Sequence, residues 1–491
     1  VDGTFKYWIT KLNEAMKKGF VFPAVMLILL VQGCSHGRSR LISNDLVPAV
    51  HLSDSAMAMA SSQYANFCAS CHWDDMGWFR TRKWKYGNRV EDIAKSIQTG
   101  YPDFGMLGYA DTLNDKQISD LAKLIYLKLG LKEDDKYKPA EGIYETEEMK
   151  LRPDTVIKGL NVPWGLAFLP DGDMLVTERE GKLLRYRDGK LITEIGGLPF
   201  IHADGQGGLM DIKLHPSFAT NGWIYFSFTG QPVTGEDKWN TSVMRAKLNG
   251  NTLTDQQLLF AGTPALAANY HFGCKIDFDK QGHIYFGVGE RGTMKKVHEL
   301  SNDWGKVHRL NDDGSVPPDN PFVRTPGARG SIWTLGHRNP QGLVVSPFDG
   351  SVWESEHGPK GGDELNLIQK GKNYGWPLVT FGINYDGKII SRDTAMTGME
   401  QPVTYWVPSF APCGMTFVTG KRYKNWEGDI LMGSLRFHNL VRVKIKDGKV
   451  IHQEVLLNNI GRMRNVTESP DGFIYVSLEA PGMIIKLLPV N

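Results

Sequence analysis

The sequence predicts a small all-α domain followed by an all-β six-bladed propeller, and three observations carry that prediction. A phrase consisting of a Gly-containing entry, a strand, a Pro/Asp/Gly turn and a second strand recurs six times after residue 150. Before it, residues 54–131 place apolar side chains at helical rather than alternating spacing. A charge-rich stretch, residues 132–150, separates the two patterns and reads as a solvated linker. With 491 residues and 41% hydrophobic content, two separate cores are feasible. The formal net charge of +2, without a basic run carrying interleaved aromatics, gives no reason to expect a nucleic-acid partner.

Residues 1–33 read as an export signal: Lys17 and Lys18, an apolar run from Phe20 to Val31, then Gly33 and Cys34. Met16 is a better start than Val1, because the stretch from Met16 to Cys34 has the charged, apolar and cleavage regions by itself. The apolar run is short for a membrane span. Cleavage before Cys34 would resemble a bacterial lipoprotein with lipid on that cysteine, although Gln32 is unusual before the Gly-Cys pair. The expectation is a protein on the periplasmic side of a bacterial membrane, held by lipid only; the alternative is a plain periplasmic or secreted one. Residues 34–53 then serve as a tether.

In residues 54–131 the CASCH segment, Cys68 to His72, fits c-type haem attachment. Cys68 and Cys71 would add to the haem vinyl groups and His72 would ligate the iron, with a redox or zinc pair as the alternative. A sixth ligand is expected in the same domain. Met106 lies in a Gly-flanked loop before a helix with Asn114 as its cap and Ile118, Leu121, Ala122, Ile125 and Leu129 on one face. This resembles the methionine loop and last helix of small class I cytochromes c. Met76 is the rival ligand, and core packing is the alternative role for either methionine.

The six repeated phrases begin at WGLAF, GGLMD, GCKID, QGLVV, CGMTF and MRNVT. Ring closure would protect their strand edges, and a strand around Thr155 to Lys158 could complete the blade that ends in MIIKLL. Within this region the stretch from Ser355 to Pro377 crowds Gly358, Pro359, Gly361 and Gly362 beside Glu356, Asp363 and Glu364. Such an oxygen-rich loop suits a hard cation such as calcium; a polar surface loop rich in turn formers is the other reading.

That stretch, GHRNPQGL (Gly336–Leu343) and YHFGCKIDFDKQGHIYFGVGE (Tyr270–Glu290) together resemble the pyrroloquinoline quinone (PQQ)-dependent soluble aldose, glucose and sorbosone dehydrogenases. The resemblance runs from about Leu151 to the C-terminus and implies PQQ and calcium on one propeller face. It makes His271 the general base and Glu290 the carboxylate that orients it. It places Gln206, Arg338, Asn339, His357, Asp363, Arg436, Arg462 and Arg464 against PQQ. Arg338 would also supply positive charge where the quinone oxygen becomes negative. Planar guanidinium groups suit the three PQQ carboxylates, although Arg436 stands where relatives often carry Lys. Gly358 and Pro359 match carbonyl ligands of the PQQ-bound calcium, and Glu364 and Tyr374 match a second calcium site. Cys274 and Lys275 depart from the Gly-Arg common in that family; Cys274 and Cys413 then form either a disulfide near the quinone or two free buried thiols.

The resemblance implies a quinohaemoprotein that oxidises aldose sugars to lactones and passes electrons through haem c to a downstream cytochrome or oxidase. Aldehydes or other polyols are alternative substrates. From a different class, the propeller could be a non-catalytic binding platform attached to an electron carrier.

Overall fold

Each of the six recurring phrases becomes the two innermost strands of one antiparallel sheet, and the six sheets follow one another as blades. The structure is a computed structural model that describes residues 50, 52–72, 76, 90–100, 106, 108–130, 137, 140–231, 235–385 and 387–490. The export signal and Cys34 lie outside the described residues, as do most of the tether, the Cys71 side chain and the loop flanking Met106. Among the described residues no helix is long and apolar enough to cross a membrane.

The N-terminal region is helical, with segments Asp54–Phe67, Ala69–His72, Val90–Thr99 and Asp115–Leu129. The last begins as anticipated: Asn114 accepts from the Gln117 N–H while Gln117 accepts from the Asn114 N–H, a reciprocal capping box. It ends at Gly130 in the left-handed conformation. Ile118, Leu121, Ala122 and Ile125 are buried in a cluster that also holds Ala60, Tyr64, Cys68 and Met76. Met76 thus occupies the position of a core methionine, whereas Met106 is half-buried.

Blade one runs from Pro163 to Glu194, blade two from Leu209 to Ala261, blade three from Ile276 to Leu335 and blade four from Pro340 to Trp406. Blade five runs from Pro412 to Leu456, and blade six begins at Arg462. Second strands such as Met174–Glu178, Ile284–Val288, Val352–Glu356 and Ile430–Ser434 are buried along their whole length because each lies between two neighbouring blades. One apolar cluster fills each gap between adjacent blades, six in all. The core is therefore a ring of wedges, not one central mass.

Closure follows the expected route. Strand Lys150–Lys158 pairs with the C-terminal strand Met483–Val490, setting Thr155 opposite Ile485 and Lys158 opposite Met483. Strands more than three hundred residues apart in sequence thus share one blade, which closes the ring. The linker expectation needs correction in its final part. Tyr144–Glu145 is a short strand paired with Lys150 and Leu151, and Glu148 Oε2 accepts from Arg442 Nη1 at 2.8 Å. Glu147 Oε2 lies 2.7 Å from His452 Nε2. The charges there meet fixed partners in blade five, which a stretch read for composition alone does not reveal.

Candidate active site

All the side chains of interest lie at the face where the innermost strands begin. The chain entering blade three turns at His271 with φ of 56°, in the left-handed region. Gly289 permits this close approach, since a Cβ there would stand 2.1 Å from the His271 carbonyl oxygen. The His271 N–H donates to Gln206 Oε1 at 2.8 Å, and its Nδ1 lies 2.5 Å from Glu290 Oε1. A carboxylate only accepts, so Nδ1 carries the hydrogen and Nε2 is left as an acceptor. Burial holds the imidazole pKa below its ordinary value; the hydrogen bond to Glu290 opposes this, and Arg338 and Arg291 push it down again. The ring is a neutral base with a fixed tautomer.

The four arginines converge from blades four, five and six. Arg338 donates from Nη1 to the carbonyl oxygens of His357 and Gly358 at 2.8 and 2.9 Å. Arg436 is exposed and donates to the Ser409 carbonyl at 2.9 Å. Arg462 and Arg464 grip the two oxygens of Glu479, at 2.6 and 2.7 Å, and Arg464 lies 3.9 Å over the Trp164 ring. Burial alone would raise the Glu479 carboxyl, but Arg464 and Arg462 outweigh it and hold it at about 2. Among the described residues Glu479 is the sole carboxylate ion-paired with any of these four, so three positive charges stay uncompensated. That surplus matches the three carboxylates of PQQ, and the donor set fits the cofactor.

Asn339 is buried; its Oδ1 lies 3.3 Å from the donating Gly273 N–H and 3.2 Å from Gln341 Nε2. His357 donates from Nε2 to the Pro412 carbonyl at 2.7 Å. Its burial, with Arg464 and Arg338 close by, drives its pKa down to about 3, so it stays neutral. The tight turn after it requires glycine at 358, where a Cβ would lie 2.3 Å from the Gly361 carbonyl oxygen. Asp363 is committed to holding that turn: it accepts from the Gly358, Phe410 and Ala411 N–H groups at 2.8 to 2.9 Å and from Ser409 Oγ. Burial pushes its pKa up to about 6 against those bonds. Asp363 shapes the carbonyl loop, whose Gly358 oxygen accepts from Arg338 Nη1.

Glu364 sits in a second acidic pocket whose membership sequence reading had only partly found. The Asn366 Nδ2 amide lies 3.1, 3.2 and 3.4 Å from carboxylate oxygens of Glu354, Glu356 and Glu364. His337 Nδ1 stands 3.2 Å from Glu356 Oε1, and His337, Glu354 and Glu356 are grouped closely enough to hold a metal ion. Burial raises the Glu354 and Glu364 carboxyls well above the ordinary range, and repulsion from Glu356 adds to it. Buried Glu354 and Glu356 beside half-buried Glu364, with a Glu354 oxygen lacking a hydrogen-bond partner, fit a hard cation. The Tyr374 hydroxyl donates to the Leu367 carbonyl and accepts from the Gln369 N–H, and its ring stacks on His337 at 4.7 Å.

Cys274 and Cys413 are free and buried. Cys413 Sγ lies 3.1 Å from Arg464 Nη1, and Lys275 is paired with Asp211 at 2.8 Å and bonded to Asn465. Sequence reading missed Glu479 and Gln341. Gln341 Oε1 accepts from Arg464 while its Nε2 donates to the Gly273 carbonyl, tying blades three, four and six together. A signal for Glu479 existed: Glu178, Glu290, Glu356 and Glu479 all stand within two residues of the end of a second strand.

The family model described as Glucose / Sorbosone dehydrogenase matches residues 160–486. Aldose sugar dehydrogenase YliI of Escherichia coli is 39% identical over 340 residues, covering 68% of this chain and 91% of the relative. Quinoprotein glucose dehydrogenase B of Acinetobacter calcoaceticus is 30% identical and covers 67% of this chain and 86% of its own length. Among solved structures, the PQQ-bound aldose sugar dehydrogenase of Streptomyces coelicolor superposes with a TM-score of 0.57 at 29% identity, over 72% of this chain and 99% of that one. The N-terminal helices precede the matched residues.

Proposed function

The chain belongs to the glucose/sorbosone dehydrogenase family, whose six-bladed propeller it shares, and from that premise we propose that it oxidises aldose sugars at the anomeric carbon to lactones. The observation that carries this reading is His271, its tautomer fixed by Glu290, on the same face as three uncompensated guanidinium charges. PQQ, when bound, supplies an ortho-quinone that takes hydride from the sugar carbon. His271 Nε2 takes the proton of the anomeric hydroxyl as that hydride leaves, and Glu290 stabilises the imidazolium formed. Arg338 sets positive charge beside the reacting centre, while Arg436, Arg462 and Arg464 with Gln206 and Asn339 bind and orient the cofactor. The carbonyls of Gly358 and Pro359 would hold calcium beside the cofactor, and Glu364 with Tyr374 would hold a second, structural calcium.

In the helical domain, Cys68 and Cys71 would attach haem c, with His72 and Met106 as iron ligands. The haem supplies a one-electron carrier between the propeller and a downstream cytochrome or oxidase. The protein works on the periplasmic side of a bacterial membrane, anchored through lipid on Cys34.

The test is reconstitution of apoprotein with PQQ and calcium, followed by a panel of aldoses, polyols and aldehydes with a dye acceptor. Aldose turnover is expected. Turnover confined to aldehydes or polyols would move the substrate class, and none at all would leave a binding platform. Ferrous haem absorbance on adding sugar to loaded protein, without dye, tests the electron path.

A further inference from the structure

We propose that the helical domain, residues 54–130, docks transiently over the propeller face that carries His271, delivered there by the path of the linker. The Tyr137 ring meets the His438 ring edge-on at 5.2 Å between centroids. His438 lies between the second and third strands of blade five, two residues past Arg436 and therefore at the face where the innermost strands begin. From there Ala140 and Tyr144 pack against the apolar cluster between blades five and six. Tyr144–Glu145 then pairs with Leu151 and Lys150, which lie opposite Pro489 and Val490, at the far end of the blade. Glu147 and Glu148 are fixed at that end by His452, Arg442 and Lys444. The linker thus descends the outside of the ring from the His271 face to the opposite one, and its docked part starts at the former.

Magnitudes decide which face the helices can reach. Six residues separate Gly130 from Tyr137, and seven backbone steps span at most about 25 Å. Crossing the ring to the opposite face would use all of it, since an eight-residue strand such as Met483–Val490 is itself roughly 25 Å long. A domain of that size has a radius of gyration of about 11 Å, so near Tyr137 it lies beside the His271 face without stretching the tether. That face also offers apolar side chains: Phe200 and Tyr385 are 69% exposed, Val407 51% and Tyr270 41%. They are uncovered in the structure, as suits a small, transient interface. The purpose of the docking rests on the haem reading above; its geometry does not.

Two experiments on the full chain separate these. Zero-length carbodiimide cross-linking of monomeric protein, mapped by peptide mass, is expected to join residues 54–130 to His271-face groups such as Asp204 and Asp237. Links confined to opposite-face groups such as Asp171, Lys280 and Asp471, or no links from the helical domain to the propeller, would overturn the docking. A Gly-Ser insert making the segment between Gly130 and Tyr137 fourfold longer should slow sugar-driven haem reduction about eightfold, with dye-linked turnover unchanged. Haem reduction at the original rate with dye turnover intact would also overturn the docking. Loss of dye-linked turnover in the uninserted protein would instead sink the dehydrogenase reading.

Discussion

Glu290 presents Oε1 to His271 Nδ1 at 2.5 Å and keeps its Oε2 buried without a partner. One carboxylate therefore does a single task, holding one imidazole in one tautomer. Replacing His271 by Gln should reduce kcat/KM for sugar about 10²- to 10⁴-fold while PQQ still binds. A variant with near-normal turnover would remove His271 from the base role.

The same pair sets the pH profile. His271 must be neutral to accept a proton, so kcat/KM should rise with pH through an apparent pKa below the ordinary histidine value. Glu290 raises that pKa, so Glu290→Gln should move the acidic limb to lower pH as well as lowering the maximum. An acidic limb unmoved by Glu290→Gln would show that another group titrates.

Glu479 links stability to pH in a direction that can be checked. Its folded pKa of about 2 lies below the usual carboxylate value, so its stabilisation is full above about 4.5 and is lost as pH falls toward 2. Glu479→Gln should cost on the order of 3 kcal/mol at pH 7, read by chemical denaturation. The gap from wild type should close between pH 5 and 2; a constant gap would mean the loss is one of packing.

Chelation tests the acidic pocket of Glu354, Glu356 and Glu364. A chelator should lower Tm and calcium should restore it; saturation at a hundredfold excess over Kd corresponds to about 2.7 kcal/mol. In Glu364→Gln the chelator-dependent shift should shrink. A Tm indifferent to chelator and calcium would leave these carboxylates neutralised by protons instead.

Arg442 is buried among Glu148, Asp429 and Glu454, with Glu147 at 3.5 Å. Arg442→Met would strand those carboxylates and should destabilise the propeller by about 3 to 5 kcal/mol. Glu147→Gln with Glu148→Gln, which removes the linker's charges but leaves Asp429 and Glu454 paired, should cost much less. Equal losses would mean that the linker carries most of that interaction.

The architecture was legible in the sequence because a propeller is periodic: six hairpins cannot bury their faces singly, and each phrase carries its own turn chemistry. Ring closure was legible too, since an unmatched early strand and a C-terminal hairpin need each other. The capping box at Asn114 and the apolar face it opens are local, set by residues three and four apart. What the tertiary structure alone decided lies between blades. Asp363 accepts from the Gly358 turn, the Ser409 hydroxyl and the Phe410 and Ala411 N–H groups. Glu479 became a site residue because Arg462 and Arg464 meet it from the neighbouring strand of blade six, and Gln341 because Arg464 reaches it from another blade. The linker acquired a path because Arg442, Lys444 and His452, about three hundred residues on, meet its Glu147 and Glu148 in space. Local propensity depends on neighbours in the chain; charge balance depends on neighbours in space, and only folding brings those together.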